Sequence, residues 1–283
     1  MSESTERFLL HHDSYTAGPD KPERWLLLLH GILGSGSNWR TFARRLCAAR
    51  PQWGVVTADL RLHGASLAAP GPHSVARCVD DLEALSSHLG ISFTAIGGHS
   101  FGSKVALLFA ERLVARHTDL DALWILDAEV AARSDRLTSG DDTVQRILGY
   151  LEAMPPYFDK RTEFTDRLLA EGLTQGVADW LAMNLGRDGE RLRLSTDVAA
   201  IRGLLSDYLA LDGTVALEQV LARADVHVVL GGRSDTVSAS GRSYYEGLAA
   251  SDQIDLKVLP DAGHWVHVDA FRELLDHFAD ALS

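Results

Sequence analysis

This chain of 283 residues predicts a doubly wound α/β fold, a mostly parallel sheet covered on both sides by helices. Three observations carry that expectation. Short unbroken apolar runs recur along the chain, as strands buried on both faces require. Longer segments of helical periodicity alternate with them, which is the βαβ pattern. Each run stops at Gly, Asp or Pro or, in the first case, at a His-Gly pair, residues that let a chain turn off a sheet edge.

Residues 25–29 (WLLLL) form the first run and end at His30-Gly31. A helical pattern over 39–49 follows, then a run at 55–58 that ends at Asp59. A helix over 74–89 leads to a run at 93–96 and the pair Gly97-Gly98, and a helix over 103–116 leads to a run at 123–126 ending at Asp127. After a long interruption, runs at 226–230 and 254–259 alternate with helices over 239–250 and 271–282. The interruption holds amphipathic stretches at 164–173, 177–185 and 198–211 with no strand signal. About 80 residues is far longer than a βα connection of about 2–6, so 133–213 reads as a helical cap inserted after the strand ending near Asp127. The domain expectation is a core of 1–132 and 214–283 carrying that lid as one unit, although about 150 residues per domain would allow two.

Composition narrows the function. Hydrophobic residues make up 46% and charged residues 23%, ordinary globular values. The formal charge of −12 opposes binding to phosphate backbones. Two cysteines, Cys47 and Cys78, fall on helical patterns as buried thiols and give neither a disulfide framework nor a zinc site. The start, MSESTERFLLHHDSY, has no signal-peptide pattern, and no later stretch approaches about 18 apolar residues. The expectation is a cytoplasmic protein that binds neither membrane nor nucleic acid.

Gly98-His99-Ser100-Phe101-Gly102 is the chemical centre of the sequence. It fits G-x-S-x-G between a buried strand and a helix, where small neighbours let the backbone close around a serine whose hydroxyl points outward. A serine hydroxyl needs a base, and the base an orienting acid. Among 12 histidines, His264 lies just past the last strand and before the last helix, while His11, His12, His73, His88, His117 and His277 read as surface or satisfied core residues. Two acids compete, Asp235 after the penultimate strand and Asp127 before the cap, and both strand ends reach one sheet edge. A loop carboxylate after the penultimate strand is the usual orienter for such an elbow, so Asp235 is preferred and Asp127 is the alternate acid. The amides of Phe101 and Ile32 are the expected oxyanion donors. Tyr157, Phe158, Trp180, Met183 and Leu185 form the expected pocket-lining group under the cap, each able to serve instead as packing.

Other patterns fail. Gly34-Ser35-Gly36 begins like a dinucleotide fingerprint, but Trp39 stands where the third glycine belongs. Ser103 precedes Lys104, and no phosphate-cradling GK[ST] exists. His264 and His267 are spaced like a ligand pair with no third ligand nearby. Neither cysteine has a motif supporting a nucleophile.

With these residues assembled, the chain from Trp25 to Leu282 resembles the α/β-hydrolase superfamily, and within it a branch of small intracellular serine esterases and acyl-thioesterases. The branch pattern HG-x-x-GS-x-x-NW is matched by His30, Gly31, Gly34, Ser35, Asn38 and Trp39. D-x-R-x-HG-x-S is matched by Asp59, Arg61, His63, Gly64 and Ser66, and GHS-x-G-x-KVA by His99, Ser100, Gly102, Lys104, Val105 and Ala106. AGHWVH is matched throughout 262–267. Phe101 replaces the usual methionine or leucine, and Ser103 a second glycine. In some members of the branch the acid sits at the strand before the cap, which is Asp127 here, so the resemblance leaves both acids open.

The expected activity is hydrolysis of a carboxylic ester or thioester through an acyl-enzyme on Ser100, without cofactor or metal. The partner is a small-molecule acyl substrate. A C–C bond hydrolase or amidase on the same scaffold is the alternative, because fold alone does not separate these bonds. A hydrolase-like binding protein without turnover would not need serine, acid and histidine together.

Overall fold

The computed structural model describes residues 8–18, 21–137 and 143–283. The first seven residues, on which part of the reading of the chain start rests, and residues 138–142 of the long interruption lie outside the described residues.

In chain order the elements are β1 (His12–Tyr15), β2 (Arg24–Leu29), α1 (Arg40–Ala49), β3 (Trp53–Ala58), α2 (Val75–Leu89), β4 (Ala95–His99), α3 (Phe101–Ala115) and β5 (Ala122–Leu126). There follow α4 (Thr143–Glu152), α5 (Arg161–Ala170), α6 (Gln175–Leu181), β6 (Leu185–Asp188), β7 (Arg191–Leu194), α7 (Val198–Ala210) and α8 (Thr214–Leu221). The chain closes with β8 (Asp225–Gly231), α9 (Ala239–Ala250), β9 (Asp255–Leu259), α10 (Val266–Asp269) and α11 (Phe271–Ala281). The main sheet of the described residues has the order β1-β3-β2-β4-β5-β8-β9. All its pairings are parallel except that of β1 with β3.

Strand β2 shows why the sheet is covered on both sides. Leu27 and Leu29 belong to the apolar cluster of one face, with residues from α2, α3 and α8, while Leu26 and Leu28 belong to the other, with residues from α1 and α11. Alternate residues of a strand point to opposite faces, so an all-leucine strand needs two layers of helices.

Every strand run read from the sequence appears, with β4 beginning two residues later than its run. The short β1 was not anticipated; its four residues HDSY carry no apolar run. Between β5 and α8 the chain adds no strand to the main sheet, but it is not wholly helical as expected. Leu185–Asp188 and Arg191–Leu194 pair as an antiparallel hairpin. Arg191–Leu194 does alternate polar and apolar (RLRL), but its partner Leu185–Asp188 (LGRD) does not, and four residues are too few to separate a strand from a helical stretch by period.

Register prepares the site. His99 pairs with Leu126, so Ser100 and Asp127 are the first residues beyond adjacent strand ends. The Ser100 amide donates to Leu126 O at 2.9 Å, and the Asp127 amide to Val229 O at 2.8 Å.

Candidate active site

Ser100 sits at the turn between β4 and α3 with φ 52° and ψ −118°, a conformation rarely adopted by residues with a side chain. The surrounding glycines make that turn possible. A Cβ on Gly98 would lie 2.1 Å from Gly102 O, and one on Gly102 would lie 2.6 Å from His30 O. Ser103, where the resemblance expected a glycine, donates its hydroxyl to Gly98 O at 2.6 Å and accepts the Leu126 amide at 3.2 Å. The substituted serine thus ties the elbow to β5.

His264 Nδ1 stands 2.7 Å from Asp127 Oδ2 and 3.0 Å from Thr236 Oγ1. The shorter bond, to a carboxylate, sets the tautomer: Nδ1–H donates to Asp127, and Nε2 keeps its lone pair. Asp127 has no exposed surface. Its Oδ1 accepts the Gly231 amide at 2.9 Å and its Oδ2 accepts the Ser234 hydroxyl, so a buried carboxylate is satisfied on both oxygens. The preference for Asp235 is therefore corrected. The loop after β8 delivers Ser234 and Thr236 to the acid–histidine pair, whereas Asp235 between them is exposed at the wall of the cavity. Arg242 fixes this loop by donating to Gly231 O and Ser234 O at 2.9 and 2.7 Å.

His99 supports the histidine from below. Its Nε2–H donates to the backbone carbonyl of His264 at 2.8 Å, and its ring lies 4.6 Å from that of His264. Burial holds His99 well below the ordinary imidazole pKa, with His264 and His267 opposing a second charge. His267 packs between Trp39 and His99 at 4.7 Å from each, and burial pulls its pKa down to about 3.

The loop after β2 turns tightly, with the Gly34 amide donating to Gly31 O at 3.0 Å. His30 braces it: Nδ1–H donates to Gly31 O at 2.8 Å, and Nε2 accepts the Leu60 amide at 3.0 Å. Burial keeps that imidazole neutral, its pKa pulled down to about 4. Ile32 lies in this turn and Phe101 opens α3, where a first-turn amide has no helical acceptor. Both residues line the same cavity as Ser100 and His264.

The remaining motif residues serve as scaffold. Asp59 accepts the Gly36 amide at 2.7 Å and the Ala65 amide at 2.8 Å. A Cβ on Gly64, which has φ 53°, would fall 2.1 Å from Asp59 Oδ2. Arg61 pairs with Asp81 through two bonds at 2.8 and 3.1 Å. Lys104 is 1% exposed, and among the described residues no carboxylate pairs directly with its ammonium, although Asp212 and Glu129 act on it from farther off. Instead Nζ donates to Ala131 O, Tyr208 O and Leu211 O at 2.9, 3.0 and 2.8 Å, tying α3 to both ends of the segment between β5 and α8. Burial lowers its pKa to about 8.

The cavity has a volume of about 990 Å³. Its floor holds Ser100, His264, Ile32 and Phe101, and its walls include Ile147, Tyr150, Leu173, Val177, Trp180 and Leu205. Of the expected pocket group only Trp180 is present, 5.6 Å from Trp265. Phe158 is buried against Phe164 in the segment's own core, and Leu185 is buried too. Met183 is 55% exposed, and Tyr157 lies outside under the Arg191 guanidinium. The actual walls come from α4, α6 and α7, whose apolar stripes say which face is buried but not whether a cavity or a neighbour lies against it.

Known proteins place the chain. The model of the alpha/beta hydrolase family matches residues 26–277. The chain is 27% identical over 256 residues to the Mus musculus protein named sn-1-specific diacylglycerol lipase ABHD11, covering 89% of this chain and 78% of that one. It is 33% identical over 150 residues to Lipase LipV of Mycobacterium tuberculosis (strain ATCC 25618 / H37Rv), covering 53% and 51%. Among solved structures it superposes on a marine microorganism esterase with a TM-score of 0.78 at 20% identity, covering 97% of this chain and 99% of that one.

Proposed function

The chain belongs to the alpha/beta hydrolase family, and on that premise we propose that it hydrolyses a carboxylic ester or thioester through an acyl-enzyme on Ser100. The observation that carries the reading is the Asp127–His264 bond of 2.7 Å beside a strained serine, at the floor of one cavity.

His264 Nε2 takes the Ser100 proton as Oγ attacks the substrate carbonyl, and Asp127 holds the resulting imidazolium. The oxyanion develops toward the Ile32 and Phe101 amides, and each such donor contributes about 2.7–4 kcal/mol to the transition state. Collapse expels the alcohol or thiol, which receives the proton from His264. A water activated by the same histidine then adds to the acyl carbon, and expulsion of Ser100 Oγ releases the acid.

The segment 133–213 acts as a cap that walls the acyl side of the cavity with apolar groups. A volume of about 990 Å³ accepts a substrate of medium size or larger. The relatives named as lipases and an esterase support ester chemistry. The formal charge of −12 favours a neutral acyl substrate over a polyanion.

Fluorophosphonate labelling of the folded protein tests the nucleophile: one label per chain, absent in Ser100→Ala, is the expected result. Absence of labelling in the folded wild type would overturn the serine hydrolase reading. Turnover of p-nitrophenyl esters of graded chain length, measured beside acyl-CoAs, then separates ester from thioester preference.

A further inference from the structure

At the opposite end of the sheet, β8, β9 and α11 bring together His227, Asp255 and His277. His227 and Asp255 are register partners on adjacent parallel strands, and His277 approaches from the helix packed over them. His227 is the third residue of β8, about 13 Å in strand rise from the glycine that binds Asp127. The cluster is therefore separate from the catalytic residues, and nothing in the esterase reading depends on it.

The geometry points to a divalent transition-metal site, with zinc as its natural occupant, held by His227 Nδ1, Asp255 Oδ2 and His277 Nε2. His227 Nδ1 stands 3.1 Å from Asp255 Oδ2, and His277 Nε2 stands 3.7 Å from the same oxygen. Zinc bonds nitrogen at about 2.0–2.1 Å and oxygen at about 2.0–2.2 Å, so tetrahedral ligand atoms lie about 3.3–3.5 Å apart. The two separations bracket that value, and all three atoms lie within 4.8 Å of one another. A fourth position remains for water.

An independent observation indicates that something is to be bound. The His277 side chain is only 10% exposed, and its Nε2 has no hydrogen-bond partner. A buried imidazole nitrogen without a partner costs free energy that coordination would recover. His227 is held ready by stacking on Trp124, with rings 4.8 Å apart and 10° from parallel. A groove of about 550 Å³ opens beside the cluster and carries Glu218, Asp225 and Asp252 besides His227 and Asp255. Its negative potential attracts a cation, and it gives the cation a path to the three ligands.

A bound ion would cross-link the last two strands of the sheet to the last helix and stabilise the folded state by mass action. Tag-free protein, stripped with chelator and titrated with Zn²⁺ in a metal-buffered solution, should bind one equivalent per chain and unfold several degrees higher. Co²⁺ should give the intense visible absorption of a tetrahedral site. Asp255→Asn, at a half-exposed position that folding tolerates, and His277→Gln should each weaken Zn²⁺ binding at least tenfold, while His264→Ala should leave it unchanged. Binding that survives Asp255→Asn and His277→Gln, that falls instead with His264→Ala, or that never reaches one equivalent would overturn the site.

Discussion

Asp127 Oδ2 lies 2.7 Å from His264 Nδ1, although 137 residues separate the two in the chain. Asp127 leaves the end of β5 with φ 49° and no exposed surface, so its position is set by backbone rather than by a flexible loop. Asp127→Asn replaces the acceptor with an amide and permits the wrong imidazole tautomer. The expected loss in kcat is on the order of 10⁴-fold. Asp235→Asn, at an exposed position, should leave kcat nearly unchanged. Steady-state kinetics of the two variants on one p-nitrophenyl ester decide it, and the opposite ranking would return the role to Asp235.

Ser234 offers a finer test of the same network. Its hydroxyl donates to Asp127 Oδ2 while Gly231 N holds Oδ1, so Ser234→Ala removes one of two local donors to the carboxylate. A hydrogen bond to a charged group contributes about 1.5–3 kcal/mol. Part of that loss falls on the transition state, where the imidazolium depends on Asp127. A fall in kcat of about tenfold with KM unchanged is expected, and an unchanged kcat would mean that Gly231 alone suffices.

The strands of the main sheet other than β1, and the serine elbow, were legible because burial on two faces and a strained turn each leave a local signature. Leu26 through Leu29 could hardly be anything but a covered strand, and Gly98 and Gly102 are demanded by contacts of 2.1 and 2.6 Å. The acid was harder. Asp127 and Asp235 both follow strands on one edge, and the choice rests on which way one loop side chain faces, a tertiary fact with no sequence period. The pocket walls failed for a related reason. Phe158 looks the same in sequence whether it faces substrate space or Phe164, while Ile147 and Leu205 lie in stretches whose periodicity shows only that one face is apolar. Lys104 belonged to a matched motif, yet only its three carbonyl partners reveal what it holds.

Lys104→Met tests that pinning role. The substitution keeps the aliphatic stem but strips the hydrogen bonds from Ala131 O, Tyr208 O and Leu211 O. Unsatisfied buried carbonyls outweigh the relief of removing a buried charge, so a net destabilisation on the order of 3 kcal/mol is expected in denaturant titrations. Loosening both ends of the segment between β5 and α8 should also raise KM more than it lowers kcat. The pH dependence has a definite sign. In the folded state Lys104 releases its proton near pH 8, whereas the unfolded lysine holds it to the ordinary value of 10.5. The unfolded state therefore binds more protons above pH 8, and this lysine contributes stability that rises with pH. The stability difference between wild type and Lys104→Met should widen from pH 8 to pH 10, and a constant difference would remove the buried ammonium from the account.

Acid should unfold this protein through its buried imidazoles. His30 and His63 are pulled down to about 4 and about 3 by burial, His267 to about 3, and His99 well below 6.5. In the unfolded chain all four regain a pKa of about 6.5. At pH 5 they are thus almost wholly neutral when folded and charged when unfolded, and unfolding takes up close to four protons at these groups. A folded pKa below the unfolded one, for a base, means stability is intact above about pH 6.5 and falls as pH drops from there toward 4. Four protons correspond to a slope of about 5 kcal/mol per pH unit near pH 5. Urea unfolding between pH 4.5 and 7 measures that slope, and calorimetry in buffers of different ionisation enthalpy counts the protons directly. His267→Phe keeps an aromatic ring between Trp39 and His99 and removes one titrating group. It should lower the proton count by one and flatten the acid limb, and an unchanged count would show that His267 does not titrate on unfolding.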